Sequence, residues 1–187
     1  MATVYDRISD DLAAWTARQP VYFVATAPLA ADGHVNVSPK GMDGTFAVLD
    51  ERTVAYLDYS GSGAETIAHV RENGRIVVMF AAFEGRPTIL RLHGRGRVVL
   101  TTDEEFAGLR ARFPKERAVG QRAIVVVDVG RISDSCGFSV PLMDFRGDRD
   151  VLDRVQERSG DAFYPEYWET ANAASIDGLP AMPGRRS

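Results

Sequence analysis

Residues 75–100 read Arg75-Ile-Val-Val-Met-Phe-Ala-Ala-Phe-Glu-Gly-Arg-Pro-Thr-Ile-Leu-Arg-Leu-His-Gly-Arg-Gly-Arg-Val-Val-Leu100. Two extended apolar runs, Arg75–Phe83 and Thr88–Leu100, flank the tight turn Gly85-Arg86-Pro87. A connection this short joins antiparallel neighbours, because parallel strands need a crossover of about a dozen residues or more, usually a helix. The pair reads as a hairpin. Its second arm carries Ile89, Leu90 and Leu92, then Gly94 and Gly96, then Val98, Val99 and Leu100. That is the pattern of one long strand bent at its glycines.

The hairpin decides how the preceding segment is read. Thr53 to Gly74 runs strand, glycine loop, helix, with Gly61-x-Gly63-x-x-Thr66 at the loop and Glu84 near the end of the following strand. A Rossmann dinucleotide fold would share those features. Here the third glycine is missing, and Thr88–Leu100 stands where that fold needs a helix. The sheet is expected to be antiparallel.

Working outward, Val4, Ile8, Leu12 and Trp15 predict an amphipathic helix over 4–19, stopped by Pro20. Extended runs follow at Val21–Ala27, His34–Ser38, Thr45–Leu49 and Thr53–Asp58. Ala123–Val129 is almost wholly aliphatic and β-branched, which suits a strand buried on both faces. Thr102 to Glu105 has capping-box spacing ahead of a helix at Phe106–Phe113, closed by Pro114. Two more helices are expected near Arg149–Arg158 and Tyr164–Asn172, then an irregular tail, Ala173–Ser187. The expected fold is mostly β with peripheral helices (α+β), an antiparallel barrel in a single domain over 1–187. Its parts are the N-terminal helix, the barrel at about 21–145 and the C-terminal segment 146–187.

The 187 residues are 45% hydrophobic and 26% charged, an ordinary globular composition. A formal net charge of −4 argues against a nucleic-acid binder that works by neutralising phosphates. One cysteine, Cys136, can form no intramolecular disulfide, and three histidines without CxxC spacing make no structural zinc site. No stretch reaches the roughly 20 apolar residues of a membrane span. The first residues carry acids where a signal peptide needs bases. The expectation is a cytoplasmic protein with no metal, nucleic acid or membrane as partner.

One loop looks chemical. Ser62 reads as an N-cap with Glu65 completing a capping box, and Asn73-Gly74 reads as a left-handed stop. Gly61 and Gly63 remove side chains where backbone N–H groups emerge, and Ser60, Ser62 and Thr66 add hydroxyls. A phosphate at such a helix start is favoured by about 0.3–1 kcal/mol. The same residues also describe a capped helix start without a ligand, in which Glu65 folds onto the loop and competes with an anion.

With those residues in place, the sequence resembles the pyridoxamine-phosphate-oxidase-like split-barrel flavoproteins, in a bacterial and fungal branch distinct from the authentic oxidase. The residues that carry the resemblance are His34–Asp43 (HVNVSPKGMD), Tyr56–Thr66 (YLDYSGSGAET), Arg75–Gly96, Cys136–Phe145 (CGFSVPLMDF) and Ser175–Pro180 (SIDGLP). The resemblance implies a split β-barrel with FMN at the interface of a homodimer. Asn36, Val37, Ser38, Pro39 and Lys40 would then run along the flavin ring and ribityl chain, with their main chain bonding the ring edge. Ser60, Gly61, Ser62, Gly63 and Thr66 would hold the phosphate, with Lys40 as cationic partner. Arg91 would approach from the sheet, and Cys136 to Pro141 would line the flavin's far side.

Two departures matter. The oxidase's adjacent Arg-Lys pair is replaced here by Ser62 and Gly63, and its C-terminal Arg- and His-bearing segment is not visible. The implied function is an FMN-dependent oxidoreductase of unknown substrate other than the oxidase itself. Two alternatives stay open: a reductase that uses the deazaflavin F420, and a flavin or haem carrier without turnover.

Other residues have plainer readings. Lys40 can be a surface lysine at a strand end. Arg91 points opposite Leu90 and Leu92 and can equally pair with a carboxylate. Nothing local would activate Cys136 with His93 as base, and a lone cysteine reads as a small buried residue. No Gly-x-Ser-x-Gly elbow occurs, as expected where a cofactor carries the chemistry.

Overall fold

The hairpin at residues 75–100 forms the middle of a single antiparallel sheet in the computed structural model, which describes residues 3–183. In chain order the elements are β1 (Val4–Tyr5), α1 (Asp10–Ala17), β2 (Val21–Thr26), β3 (Asn36–Gly41), β4 (Phe46–Val48), β5 (Thr53–Tyr59) and α2 (Glu65–Asn73). There follow β6 (Arg75–Ala81), β7 (Thr88–Leu100), α3 (Phe106–Arg110), β8 (Gln121–Cys136), α4 (Val151–Ser159) and α5 (Tyr164–Thr170). The spatial order is β3-β2-β6-β7-β8-β5-β4, with β1 paired to β8. This is the expected antiparallel split barrel. Residues 184–187 of the expected irregular tail lie outside the described residues.

β7 pairs with β6 from Arg95↔Arg75 to Ile89↔Ala81, and with β8 from Thr88↔Cys136 to Leu100↔Ala123. A bulge falls between His93 and Gly94. Glycine is needed there, because a Cβ on Gly94 would stand 2.2 Å from the Asp128 carbonyl oxygen.

β8 divides the apolar interior. Val125, Val127, Val129 and Ile132 pack inside the barrel with Tyr22, Val24 and Phe80, while Ile124 and Val126 pack outside with Leu57, Tyr59 and Phe113. The aliphatic run is therefore buried on both faces, and each such side chain contributes about 1.5–3 kcal/mol.

The sheet path ends at β3 on one side and β4 on the other, so no backbone ladder joins β3 to β5. That gap is the split. Along β3, Asn36, Ser38 and Lys40 oppose the buried Thr26, Val24 and Tyr22 of β2 and so face the interior; Val37 and Pro39 are exposed.

Two local expectations give way to other contacts. Val4 and Tyr5 leave the expected helix and pair with Ser133 and Ile132 of β8. The helix starts later because Ser9 caps it, accepting the N–H of Leu12. The capping box at Thr102–Glu105 does not form: Asp103 instead accepts the N–H of Leu100 at 2.8 Å, and the helix behind it has only 5 residues.

The bulge makes a direct prediction. Gly94→Ala should destabilise the protein by about 3 kcal/mol, the upper part of the overpacking range, because the atom it meets is backbone. Chemical denaturation of the two proteins checks this, with Gly108→Ala as the control: Gly108 lies in α3, its added Cβ meets nothing within 4 Å, and the change should leave stability unchanged or raise it by up to about 1 kcal/mol.

Candidate functional site

The split is bridged by side chains. Asp58 of β5 is buried and binds two cations, Lys40 Nζ at 2.8 Å from Oδ1 and Arg122 Nε at 2.7 Å from Oδ2. Lys40 also stands 5.6 Å from the centre of the Tyr56 ring, a favourable cation–π placement. Burial pushes the Asp58 carboxyl up, but the charges of Arg122 and Lys40 outweigh it and hold the pKa down at about 2. A second bridge lies higher in the split: Asn36 Nδ2 donates to Thr66 Oγ1 at 3.1 Å, and Ser38 Oγ donates to Asn36 Oδ1 at 3.2 Å. Behind them Thr26 Oγ1 meets the buried His69 Nδ1 at 3.0 Å.

The glycine loop leads from β5 into α2. Its carbonyl side is held by the C-terminal helices and the chain beyond them. Trp168 Nε1 donates to Ser60 Oγ at 2.7 Å and Gln156 Nε2 to Ser60 O at 3.2 Å. Tyr167 OH and Asn172 Nδ2 donate to Gly61 O at 3.2 and 3.0 Å. Asn172 in turn accepts from Arg122 at 2.8 Å, so the ion cluster and the loop form one chain of bonds.

The donor side stays open. Gly61, Ser62 and Gly63 are exposed, and α2 has Ala64 at its N-cap with no side-chain bond. Ser62 therefore does not cap the helix, because the loop is set by its carbonyl contacts. Glu65 folds onto the loop: its Oε2 lies 2.9 Å from where a Cβ on Gly63 would stand, and its Oε1 accepts the N–H of Ile176 at 3.0 Å. Next to Ile176, Asp177 accepts from the His34 N–H at 2.8 Å and meets His34 Nδ1 at 2.6 Å. The segment 175–177 thus clamps the loop to the start of β3.

The structure brings Asn36, Ser38, Lys40, Ser60, Gly61, Ser62, Gly63 and Thr66 to the split. Val37 and Pro39 lie on the opposite face of β3. Arg91 does not reach the split within one chain. The register sets it in the outer row Pro39, Phe23, Met79, Arg91, Ser133, three strands from β3, where it donates to Ser135 Oγ at 2.9 Å. Cys136 is exposed rather than buried. It pairs with Thr88, five residues or ~17 Å along β7 from His93, so the two form no couple. Among the described residues no group of three or more His, Cys, Asp or Glu could hold a metal ion, and no helix is long and apolar enough to cross a membrane.

Beside the rim of the split a cavity of about 780 Å³ is walled by Lys40 and Met42 near the end of β3, Leu57 and Tyr59 of β5, and Val151 and Val155 of α4. Its volume is within the range of small-molecule sites. Met42 has a φ of 72°, alone among the described non-glycine residues with positive φ, and such strain gathers at binding sites. The sequence reading missed Asp58, Arg122, Asn172 and Trp168. A signal existed for the first two: Arg122 heads an otherwise buried aliphatic strand, and a cation there requires an anionic partner.

Two predictions follow from these contacts. Asp58→Asn leaves two buried or half-buried cations on a neutral amide and should cost about 3–5 kcal/mol by denaturant titration. Because its folded pKa is depressed, the stability Asp58 adds in the wild type is present above its ordinary 3.8 and is lost as pH falls toward about 2. The His34–Asp177 clamp behaves oppositely on its histidine side. The Asp177 carboxylate raises the His34 pKa above 6.5, so the contact is full below that value and weakens as pH rises through the raised one. Proteolytic cleavage near Asp177 should therefore accelerate as pH rises from below 6.5 through the raised value, and His34→Ala should abolish that pH dependence.

Comparison with known proteins gives the same architecture a lineage. The pattern of the family described as "Pyridoxamine 5'-phosphate oxidase" matches residues 8–136. The pyridoxamine 5'-phosphate oxidase family protein ustO of Aspergillus flavus is 41% identical over 196 aligned positions, covering 97% of this chain and 78% of that protein. The crystal structure of HupZ from Group A Streptococcus is similar in fold, with 22% identity, a TM-score of 0.53, and coverage of 67% of this chain and 91% of that one. A single-residue variant of HupZ gives a TM-score of 0.55 at 21% identity, covering 68% of this chain and 99% of that one. A family pattern running from α1 to the end of β8, and a relative alike across nearly the whole length, make this chain a member of the pyridoxamine 5'-phosphate oxidase family.

Proposed function

We propose that this protein binds FMN along the split between β3 and the β5–α2 loop and acts as an FMN-dependent oxidoreductase, assembled as a homodimer. One observation carries the reading: the free edge of β3, the Lys40 cation and the open Gly61–Gly63 turn face the same gap, next to a cavity of about 780 Å³.

The donor set fits a phosphate monoester in all but one member. A Cβ on Gly61 would meet nothing within 4 Å, so that side of the turn is open to an approaching anion. The start of α2 lacks a side-chain cap, which leaves its first N–H groups available. Lys40 and Arg122 against Asp58 leave one net positive charge beneath the loop. Glu65 is the misfit, since its carboxylate stands over Gly63 and must swing away before a dianion can settle. The N–H groups on the free edge of β3 are fixed in direction and can stabilise negative charge on a ring edge without reorganising. Bound there, FMN would supply the hydride- and electron-accepting ring, while these residues orient it and exclude water.

Apolar exposure supports the dimer. Val35 and Val37 are 71% and 60% exposed, and Phe138 and Leu142 on the segment after β8 are 83% and 81% exposed. A second copy of the chain is one surface that could cover these apolar side chains. A flavin or haem carrier without turnover is favoured by one feature, the locking of the split's charges into a buried cluster with no free acid–base couple. An F420-dependent reductase would use the same gap.

The test is reconstitution. Protein loaded with FMN should absorb in the flavin bands, bleach under NADH or NADPH and recover in air, with light scattering giving twice the chain mass. Bound flavin that never turns over supports the carrier. Glu65→Gln should tighten FMN binding about tenfold and Ser62→Asp should weaken it by a similar factor, as expected for one charge near a dianion at intermediate screening. Equal FMN affinity in all three proteins removes the phosphate loop from the proposal.

A further inference from the structure

We propose that the C-terminal turn 175–178 is a latch across one end of the split, held shut by Glu65, and that an anion arriving at the Gly61–Gly63 turn opens it by displacing that carboxylate. This rests on the reading of the glycine turn as a phosphate site and adds how entry to that site is regulated.

The latch is the tip of a small hairpin. Its arms are joined by Ala181 N–H to Ala173 O at 2.8 Å, by Met182 N–H to Asn172 O at 3.0 Å and by a bridge between Ala174 and Pro180. The base is fixed. Asn172, Ala181 and Met182 are buried, and the last two pack with Ile67 and Ala68 of α2. The tip turns at Gly178, whose φ is 78°, a conformation that suits glycine. It closes on itself through Gly178 N–H to Ser175 O at 2.9 Å and Leu179 N–H to Ser175 Oγ at 3.1 Å.

Two carboxylates tie this tip to the body. Among the described residues, its hydrogen bonds to other elements are Ile176 N–H to Glu65 and the pair that Asp177 makes with His34. Glu65 opens α2 and His34 precedes β3, so the tip spans the gap between them. No apolar anchor holds it there: residues 176–178 are exposed, Ile176 by 71%. A segment with few buried apolar contacts and solvent-exposed bonds opens locally at low cost.

Glu65 serves the turn and the latch at once. Its Oε1 accepts the Ile176 N–H at 3.0 Å, while its Oε2 lies 2.9 Å from where a Cβ on Gly63 would stand. An anion settling on the open N–H groups of the turn meets like charge at Oε2. A carboxylate moves as one rigid group, so withdrawing Oε2 also takes Oε1 from Ile176. The tip is then held by Asp177 alone. The coupling is reciprocal: whatever loosens the tip strengthens anion binding by the factor by which the anion loosens the tip.

His34 separates this coupling from plain electrostatics. Asp177 favours its charged form, so deleting the ring removes positive charge, which by attraction alone weakens or leaves unchanged the binding of an anion. Deleting it also removes one tie of the latch, which strengthens that binding. The two accounts predict opposite signs.

The experiment follows backbone hydrogen exchange across residues 172–182 of the full chain near neutral pH, with inorganic phosphate and, separately, with FMN. Calorimetry measures the binding of each. Bound anion should speed exchange at the Ile176 N–H about tenfold, the loss of one charge-assisted bond, and leave Ala181 and Met182 protected. Glu65→Ala should show the fast exchange without ligand, and anion should add nothing further. His34→Ala should bind phosphate about threefold more tightly, the scale of an exposed ion pair. Thermal unfolding verifies that each variant is folded. Slow exchange at Ile176 in Glu65→Ala, bound anion that leaves the wild-type tip unchanged, or equal or weaker phosphate binding by His34→Ala each overturns the latch. Phosphate that opens the tip in protein unable to take up FMN sinks the flavin reading alone. Bound FMN with an unchanged tip sinks the latch alone, and binding of neither anion removes both.

Discussion

A single buried carboxylate with two cations holds this barrel at its open seam. Taking Asp58, Lys40 and Arg122 out of water costs several kcal/mol per ion, recovered only if the bonding geometry is good; here both carboxylate oxygens are used, at 2.8 and 2.7 Å. Because no ladder joins β3 to β5, this cluster and the Asn36–Thr66 bond set the width of the gap. The same cluster reaches the glycine loop through Asn172. Fold and candidate site therefore share their polar framework, and neither can be altered without disturbing the other.

Much of this was legible in the sequence. The short Gly85-Arg86-Pro87 turn fixed the sense of the central hairpin, and the aliphatic run in β8 announced burial on both faces. Gly74 takes the left-handed conformation expected of it, with a φ of 70°. These readings rest on local chemistry. The N-terminal helix failed through distance, because Val4 and Tyr5 were claimed by β8, more than a hundred residues away; the Thr102 box lost to a nearer bond, from the Leu100 N–H to Asp103.

The site shows the same division. Alternation told correctly that Arg91 points away from Leu90 and Leu92, yet nothing local says which face of a curled sheet looks into the split. The capping box at Ser62 and Glu65 had the right spacing. It failed because Glu65 is drawn to Ile176 and the loop carbonyls to α4, α5 and Asn172, contacts made across about a hundred residues. The C-terminal segment is thus part of the site although it follows the barrel in the chain.

Pro39 has a consequence for solubility. β3 ends the sheet, and a terminal strand with a full row of unpaired donors is a template on which another chain can stack. Within its pairing to β2, Pro39 opposes Phe23, a position where the missing N–H belongs to the unpaired side. The row of donors that could guide an incoming molecule is interrupted at its centre. The N–H groups on either side of Pro39 stay open to a small ligand, but a foreign strand that must match every residue meets a gap.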